Sequence, residues 1–210
     1  NTSTNLPEIG LQHSVAAAVT ALDSNGDGLT DRLYFADTDG QLWRADLPGA
    51  TLPTISQDTW RIVKVASVNG GTRATDRRFF NAPDVVRTAH SGVAFDALPI
   101  GRGDRTNPND MDDPNDPNLM AVDSQFYMIR DEATHPYFTA APTVSDCSAT
   151  PPSVDFRCQL PLDPNDLYDV TANDIQLGTT AEQAAAQAAL ASANGWRLDL
   201  QADREKALVR

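Results

Sequence analysis

The chain has 210 residues and is acidic, because 29 Asp and Glu against 16 Lys and Arg give a formal net charge of −13. This charge argues against nucleic acids and anionic lipid surfaces as partners, since the phosphates of both select Lys and Arg. No apolar run approaches the ~20 residues of a membrane span, and the start of the chain has no signal-peptide pattern, so we expect either a removed export signal or a piece of a longer protein.

The first segment with chemical content is SVAAAVTAL followed by DSNGDGLTD, residues 14–31, in which a strand-like run leads into a loop. Oxygen-bearing side chains occupy positions one, three, five and nine of an EF-hand-type calcium loop, with glycine at position six and a backbone carbonyl at position seven. Calcium takes about six to eight oxygen ligands, so this spacing predicts a calcium site. The alternative is a metal-free surface turn of Asp, Asn and Gly. The predicted ligands are Asp23, Asn25, Asp27, Leu29 through its carbonyl, and Asp31.

The loop departs from an EF-hand after position nine. Position twelve is Tyr34, where an EF-hand has a bidentate Glu. The following residues, 32–47, predict two strands joined by an Asp39-Gly40 turn. We therefore expect a calcium loop that lies between strands and not between helices.

Further strand-like runs follow, separated by loops rich in Pro, Asp, Asn and Gly. Many short strands with turn signals between them predict an all-β sandwich, barrel or propeller, although no exact repeat is present. Aromatic residues in these runs alternate with polar ones, which predicts core positions. The runs are WRIVKVASV, RRFFNAPDVVRT, GVAFDALPIG, QFYMIRD, DLYDV and GWRLDL.

Residues 179–195 break the β pattern and predict an alanine-rich helix. We expect Thr180 and Gln183 to form its capping box and Gly195 to follow its last turn. Because its apolar surface consists mostly of methyl groups, the helix is expected on the outside of the β body.

Two motifs in the long loop after GVAFDALPIG allow two interpretations each. Arg102-Gly103-Asp104 spells the integrin-recognition tripeptide RGD, and the favoured alternative is a chance match in a loop rich in Gly and Asp. The acidic run at 107–118 could hold a second metal ion, but three prolines and the missing glycine favour a solvated loop. Its carboxylates are Asp110, Asp112, Asp113 and Asp116.

The two cysteines, Cys147 and Cys158, could close a short disulfide loop. Such a bond would stabilise the fold by about 2–4 kcal/mol. The alternative is a pair of unpaired thiols.

No catalytic pattern stands out. The three histidines lack a second ligand at metal-binding spacing, and neither a G-x-S-x-G elbow nor a Gly-rich phosphate loop occurs. The sequence therefore gives no catalytic residue to nominate.

Segments along most of the chain resemble, in the same order, those of the PilY family, the tip-associated adhesins and biogenesis factors of type IV pili. The calcium segment is the most specific part of the resemblance, whereas the alanine-rich helix and the cysteine loop are less specific. The similar segments are LDSNGDGLTDRLYFADTDGQLWRADL, RRFFNAPDVV, LPIGRGDRTNP followed by QFYMIRDEA, and GWRLDL with REKALVR.

This resemblance implies a modified β-propeller in the C-terminal part of a longer exported protein, with calcium at the five ligands named above. Because a blade takes ~40–45 residues, residues 1–210 would be a single partial propeller region of about four or five blades. It further implies a non-enzymatic role in pilus extension and retraction and in adhesion to host-cell or abiotic surfaces. The protein would lie outside a Gram-negative cell, at the pilus tip, with minor pilins as partners.

The alternative interpretation of a propeller is an enzyme. An exported quinoprotein dehydrogenase would bind its cofactor on the propeller axis and would need several residues that converge there. The absorbance of pyrroloquinoline quinone in the purified protein would favour this alternative.

Overall fold

The computed structural model describes residues 11–47, 61–72, 75–103, 122, 124–132 and 161–200. Within these ranges the chain forms two β-sheets, and neither closes into a barrel. The prediction of a mainly β structure is therefore confirmed. The described residues form two sheets, whereas about four or five blades were predicted for the whole chain. No helix in the described ranges is long and apolar enough to span a bilayer.

The first sheet is a four-stranded antiparallel meander whose strands neighbour each other in chain order. The second sheet has the strand order β5-β6-β7-β9-β8, in which β8 and β9 are parallel and the other pairs are antiparallel. The strands of the first sheet are β1 (Thr20–Leu22), β2 (Arg32–Ala36), β3 (Gln41–Asp46) and β4 (Arg61–Ser67). Those of the second are β5 (Val86–His90), β6 (Val93–Arg102), β7 (Gln125–Asp131), β8 (Tyr168–Asp169) and β9 (Gly195–Asp199).

The predicted hairpin is confirmed by β2 and β3, which pair around the Asp39-Gly40 turn. One oxygen of Asp37 accepts the backbone N–H groups of Asp39 and Gln41 at 2.9 and 3.0 Å, which closes the turn. Gly40 has a φ of +69°, and a Cβ there would collide with the carbonyl oxygen of Arg77. The turn therefore needs glycine for its conformation and for its close neighbour.

The first strand-like run is shorter than predicted. Of residues 14–22, only Thr20–Leu22 pair as a strand. RRFFNAPDVVRT is irregular as far as Val85, where β5 follows, although Phe79 within it is fully buried. Residues 14–19 are almost all exposed, so the apolar residues of this run do not form part of the core.

The two sheets pack face to face through one hydrophobic core. Alternate residues of β2, β3, β6 and β7 point into it, as the pleat of a strand requires. The opposite face of the first sheet is buried as well, through Phe35, Trp43 and Ala45. The central strands of the first sheet, β2 and β3, are therefore buried on both faces. The shared core includes Tyr34 and Leu42 of the first sheet and Leu98, Ile100, Tyr127 and Ile129 of the second.

The alanine-rich helix is confirmed as α2 (Thr180–Ser192), and a four-residue helix, α1 (Asp174–Leu177), precedes it. Only Ala186 of α2 is buried, as expected for a helix on the outside. Three carbonyl oxygens near its C-terminus accept hydrogen bonds of 3.1–3.3 Å from the guanidinium of Arg130 on β7. This side chain fastens the helix to the second sheet.

The predicted caps of this helix were wrong. The capping box joins Thr179 to Glu182, whose carboxylate accepts the Thr179 N–H at 2.7 Å. A carboxylate serves this place better than Gln183 because it also complements the positive end of the helix dipole. Gly195 instead begins β9 with a φ of +137°, where a Cβ would collide with the carbonyl oxygen of Met128.

Two predictions lie outside the described residues. One is the disulfide between Cys147 and Cys158. The other is the acidic run at 107–118 with Asp110, Asp112, Asp113 and Asp116.

Candidate metal-binding loop

The predicted calcium loop connects β1 to β2 at one end of the first sheet. Asp31, its last ligand, donates its N–H to the Leu22 carbonyl at 3.0 Å and accepts the Leu47 N–H at 2.8 Å. Both neighbouring strands thus fix its backbone. Asp31 is 1% exposed, whereas the other four predicted ligands are exposed.

The loop carboxylates accept hydrogen bonds from the loop's own N–H and O–H groups. Asp23 accepts the N–H groups of Gly26 and Gly28 at 2.6 and 2.8 Å, and Asp31 accepts the N–H and hydroxyl of Ser24, both at 2.7 Å. The hydrogen bond from Gly28 is the main reason that the pKa of Asp23 lies below its usual value. At neutral pH Asp23 therefore carries the anionic oxygens that a hard cation prefers.

Asn25 contacts two of the other predicted ligands through its side chain. The side-chain nitrogen of Asn25 lies 3.3 Å from Asp27 Oδ2 and 3.4 Å from Asp31 Oδ1. Asp23 instead accepts hydrogen bonds from the N–H groups of Gly26 and Gly28. In the described part of the chain, no three His, Cys, Asp or Glu side chains converge on a common metal position. The ligand atoms are oxygens, as calcium requires, and they occur in the sequence order of a calcium loop. To bind the ion, Asn25 would have to rotate its side-chain amide so that the oxygen replaces the nitrogen.

Between the sheets lies a set of buried charges that the sequence interpretation missed. Asp96 on β6 is directly opposite Asp131 on β7, and like charges so placed destabilise a ladder. The first sheet supplies the compensation: Arg32 lies 3.0 Å from Asp96, and Arg44 lies 2.6 Å from Asp131. The Tyr34 hydroxyl is 2.9 Å from an oxygen of each aspartate. We call Arg32, Tyr34, Arg44, Asp46, Asp96 and Asp131 the buried ion-pair cluster.

The cluster contains two arginines and three aspartates, and Arg87 at its edge supplies the third positive charge. Asp46 lies 3.0 Å from the Nε atoms of both Arg32 and Arg44, and burial raises its pKa despite these two neighbours. Burial also opposes ionisation of Asp96, but hydrogen bonds from Arg87 and Tyr34 outweigh it and lower the pKa of Asp96. Both effects follow from the low dielectric between the sheets.

Arg87 on β5 joins this cluster to the loop. Its Nε and Nη2 atoms donate to the two oxygens of Asp96 at 2.8 and 3.0 Å. Its Nη1 atom donates to the carbonyl oxygen of Ser24 at 3.0 Å. The candidate metal site and the buried charges are therefore contiguous.

Strand alternation was the signal that could have found the cluster. Asp96 is in phase with Leu98 and Ile100, and Asp131 is in phase with Tyr127 and Ile129. A charge that shares the phase of buried apolar residues faces the core, where it needs a partner. The identity of that partner is not encoded in the strand itself.

The RGD tripeptide begins at a buried residue. Arg102 is 1% exposed, its guanidinium lies 5.6 Å from the centre of the Tyr127 ring, and its Nη1 donates to the Val68 carbonyl at 3.3 Å. Gly103 is also buried, and Asp104 lies outside the described residues. These contacts give Arg102 a structural role, which supports the chance match.

The fold is similar to a crystal structure of the Pseudomonas aeruginosa PilY1 C-terminal domain, with a TM-score of 0.50 and 16% sequence identity. The similarity covers 89% of this chain and 39% of that chain, so this chain spans well under half of the domain it matches. No protein-family model and no curated protein sequence matches this chain. At this level of identity the similarity concerns the fold.

Proposed function

We propose that the chain is a non-enzymatic, calcium-binding module of a type IV pilus tip-associated adhesin. It would act outside the cell in pilus extension and retraction and in adhesion to surfaces or host cells, with minor pilins as partners. The observation that carries this proposal is the loop between β1 and β2, where anionic oxygens at calcium-loop spacing are held by strands. The similarity in fold to the PilY1 C-terminal domain supports the pilus context.

We further propose that the two sheets are neighbouring blades of a propeller. A four-stranded antiparallel meander is the usual form of a blade, and the first sheet has this form. The stacking of the sheets and the burial of β2 and β3 on both faces support the proposal, because an inner blade has a neighbour on each side.

In this proposal the five predicted ligands hold the ion: Asp23, Asn25, Asp27, Asp31 and the Leu29 carbonyl. Bound calcium supplies the positive charge that offsets repulsion among three carboxylates in one short loop. Tyr34 cannot replace the missing bidentate Glu, because its hydroxyl is committed to Asp96 and Asp131. We therefore expect an affinity between that of extracellular modules, ~10⁻⁴–10⁻³ M, and that of sensors, ~10⁻⁷–10⁻⁵ M.

Calorimetric titration of calcium into the full chain tests the proposal. The wild type is expected to bind one ion, and Asp31→Ala to bind none. Asp27→Asn should weaken binding by about tenfold or more, because affinity depends on the ligand charge count. Asp27 is exposed and its side chain contacts only loop residues, so this variant keeps the test valid if Asp31→Ala perturbs the fold.

The matched control is Asp174→Asn, which makes the same charge change on the exposed helix α1. It should bind calcium as the wild type does. No binding by the wild type, or equal binding by the wild type and Asp27→Asn, would contradict the proposal.

A further inference from the structure

We infer that Arg87 is a positioning residue for the calcium loop: its guanidinium fixes the Ser24 carbonyl and thereby ties the loop to the buried ion-pair cluster. The inference rests on the proposed calcium site and adds a residue outside the loop, on the other sheet. It would make the affinity of the loop depend on how the two sheets are packed.

The guanidinium is held from inside the protein. Asp96 is fully buried, and its oxygens also accept hydrogen bonds from Arg32 at 3.0 Å and Tyr34 at 2.9 Å. Because Arg87 binds this carboxylate with two nitrogens, the plane of its guanidinium is fixed. The third nitrogen is therefore directed at the Ser24 carbonyl oxygen without further loss of freedom.

Ser24 is the residue of the loop through which such a contact affects the ligands. It lies between the first two predicted ligands, and its N–H and hydroxyl both donate to Asp31 Oδ2 at 2.7 Å. Fixing its carbonyl fixes the same peptide segment that orients Asp31. A loop ordered before it binds loses less conformational entropy on binding, so Arg87 should strengthen calcium binding.

The charge of Arg87 has an opposite effect on calcium affinity, and the two effects predict opposite results for its removal. The positive charge of Arg87 near a cation site repels calcium, and its removal would then tighten binding. However, the carboxylate of Asp96 lies 2.8 and 3.0 Å from the guanidinium, and its negative charge weakens the repulsion between Arg87 and a cation in the loop. We therefore expect the positioning effect to exceed the repulsion.

The hydrogen bond between Arg87 and Ser24 also affects β5, the strand that carries Arg87. All five residues of this edge strand are exposed, and in the described part of the chain it pairs with β6 alone. Arg87 connects the strand to the loop on the first sheet. Calcium binding should therefore slow backbone amide exchange in β5 as well as in the loop.

The test measures calcium affinity by calorimetry and amide exchange by mass spectrometry, with and without calcium alone as the ligand, in the full chain. Arg87→Ala and Arg87→Lys should each bind calcium roughly three- to tenfold more weakly, the effect of one lost hydrogen bond. In both variants calcium should no longer slow exchange in β5. Lysine keeps the charge but cannot make the three contacts of the guanidinium.

Arg197→Lys is the matched control, because Arg197 is likewise a partly exposed, ion-paired arginine. It pairs with Asp169 and Asp199, and its side chain is 23% exposed against 33% for Arg87. It lies on β9 and should leave calcium affinity unchanged. Unchanged or tighter binding by either Arg87 variant, with calcium still bound by the wild type, would overturn this inference alone. A wild type that binds no calcium would overturn the proposed function and this inference with it.

Discussion

Tyr34 is not available as a metal ligand, because its hydroxyl is hydrogen-bonded to two buried aspartates. It stands where an EF-hand has its bidentate Glu, but its hydroxyl lies 2.9 Å from an oxygen of Asp96 and of Asp131. Burial raises its pKa, and the two carboxylates raise it further, so the hydroxyl keeps its proton and donates it. Its single proton serves one carboxylate at a time, and the arginines of the cluster neutralise the other.

Replacing Tyr34 with Phe tests this role. The ring stays and the hydroxyl is lost, so two buried carboxylates lose a shared donor. We expect the free energy of unfolding to fall by about 1–3 kcal/mol, the cost of unsatisfied buried polar groups. Equilibrium denaturation by urea measures this change in the free energy of unfolding.

Tyr168→Phe is the control for this substitution, because Tyr168 is half-buried on the short strand β8. It should change stability by less than about 0.5 kcal/mol. An equal effect of the two substitutions would show that the Tyr34 hydroxyl has no special role.

Helix α2 depends on a strand for its C-terminus. Its sequence supplies an N-terminal capping box but no basic residue in its last turn. Arg130 of β7 provides the missing cation and donates to the carbonyls of Leu190, Ala191 and Ala193. A helix that is exposed except at Ala186 is thus held at its end by a charge on another element.

Arg130→Met should release this end of α2. Methionine keeps an unbranched stem but has no donors, so we expect a loss of about 0.3–2 kcal/mol in helix stability. Amide exchange of residues 190–193 should accelerate, while exchange near Thr179 stays unchanged. Uniform acceleration along the helix would contradict a local cap.

The parts of the fold that were predictable are those with local signals. The β2–β3 hairpin, β4, β6, β7 and α2 each carry their own alternation, turn or helix propensity within a few residues. The short run DLYDV predicted a strand and contains β8, in which Tyr168 and Asp169 pair with β9. Helix α1 was not predicted, because a single turn of four residues carries too little local signal. The loop ligands follow from spacing, whereas pairs such as Arg32 and Asp96, 64 residues apart, depend on how two sheets meet.

The whole molecule should lose stability in acid through Asp96. Its pKa is lowered in the folded state, so the unfolded chain takes up this proton first as the pH falls. The stability that Asp96 contributes is therefore complete above about pH 4, its unfolded pKa, and is lost as the pH falls through the folded value. Asp46 has a raised pKa and acts in the opposite sense, gaining its proton first in the folded state.

Asp96→Asn tests this contribution in calcium-free buffer. At pH 7 the variant should be less stable by about 3–5 kcal/mol, because Arg32 and Arg87 lose a buried partner. Below pH 4 its stability should fall less steeply than that of the wild type. Thermal melts from pH 2.5 to 7 measure both effects, with Asp174→Asn as the control, and parallel pH profiles of wild type and Asp96→Asn would contradict the assignment.

The aspartates opposed across β6 and β7 also determine which surfaces can stack. Around the cluster the first sheet presents two arginines and one aspartate, and the second presents Arg87 with two aspartates, so the faces carry +1 and −1. Two copies of the second face would bring four carboxylates together without the arginines of the first. By Coulomb's law the second face should therefore attract the first face and repel a second copy of itself.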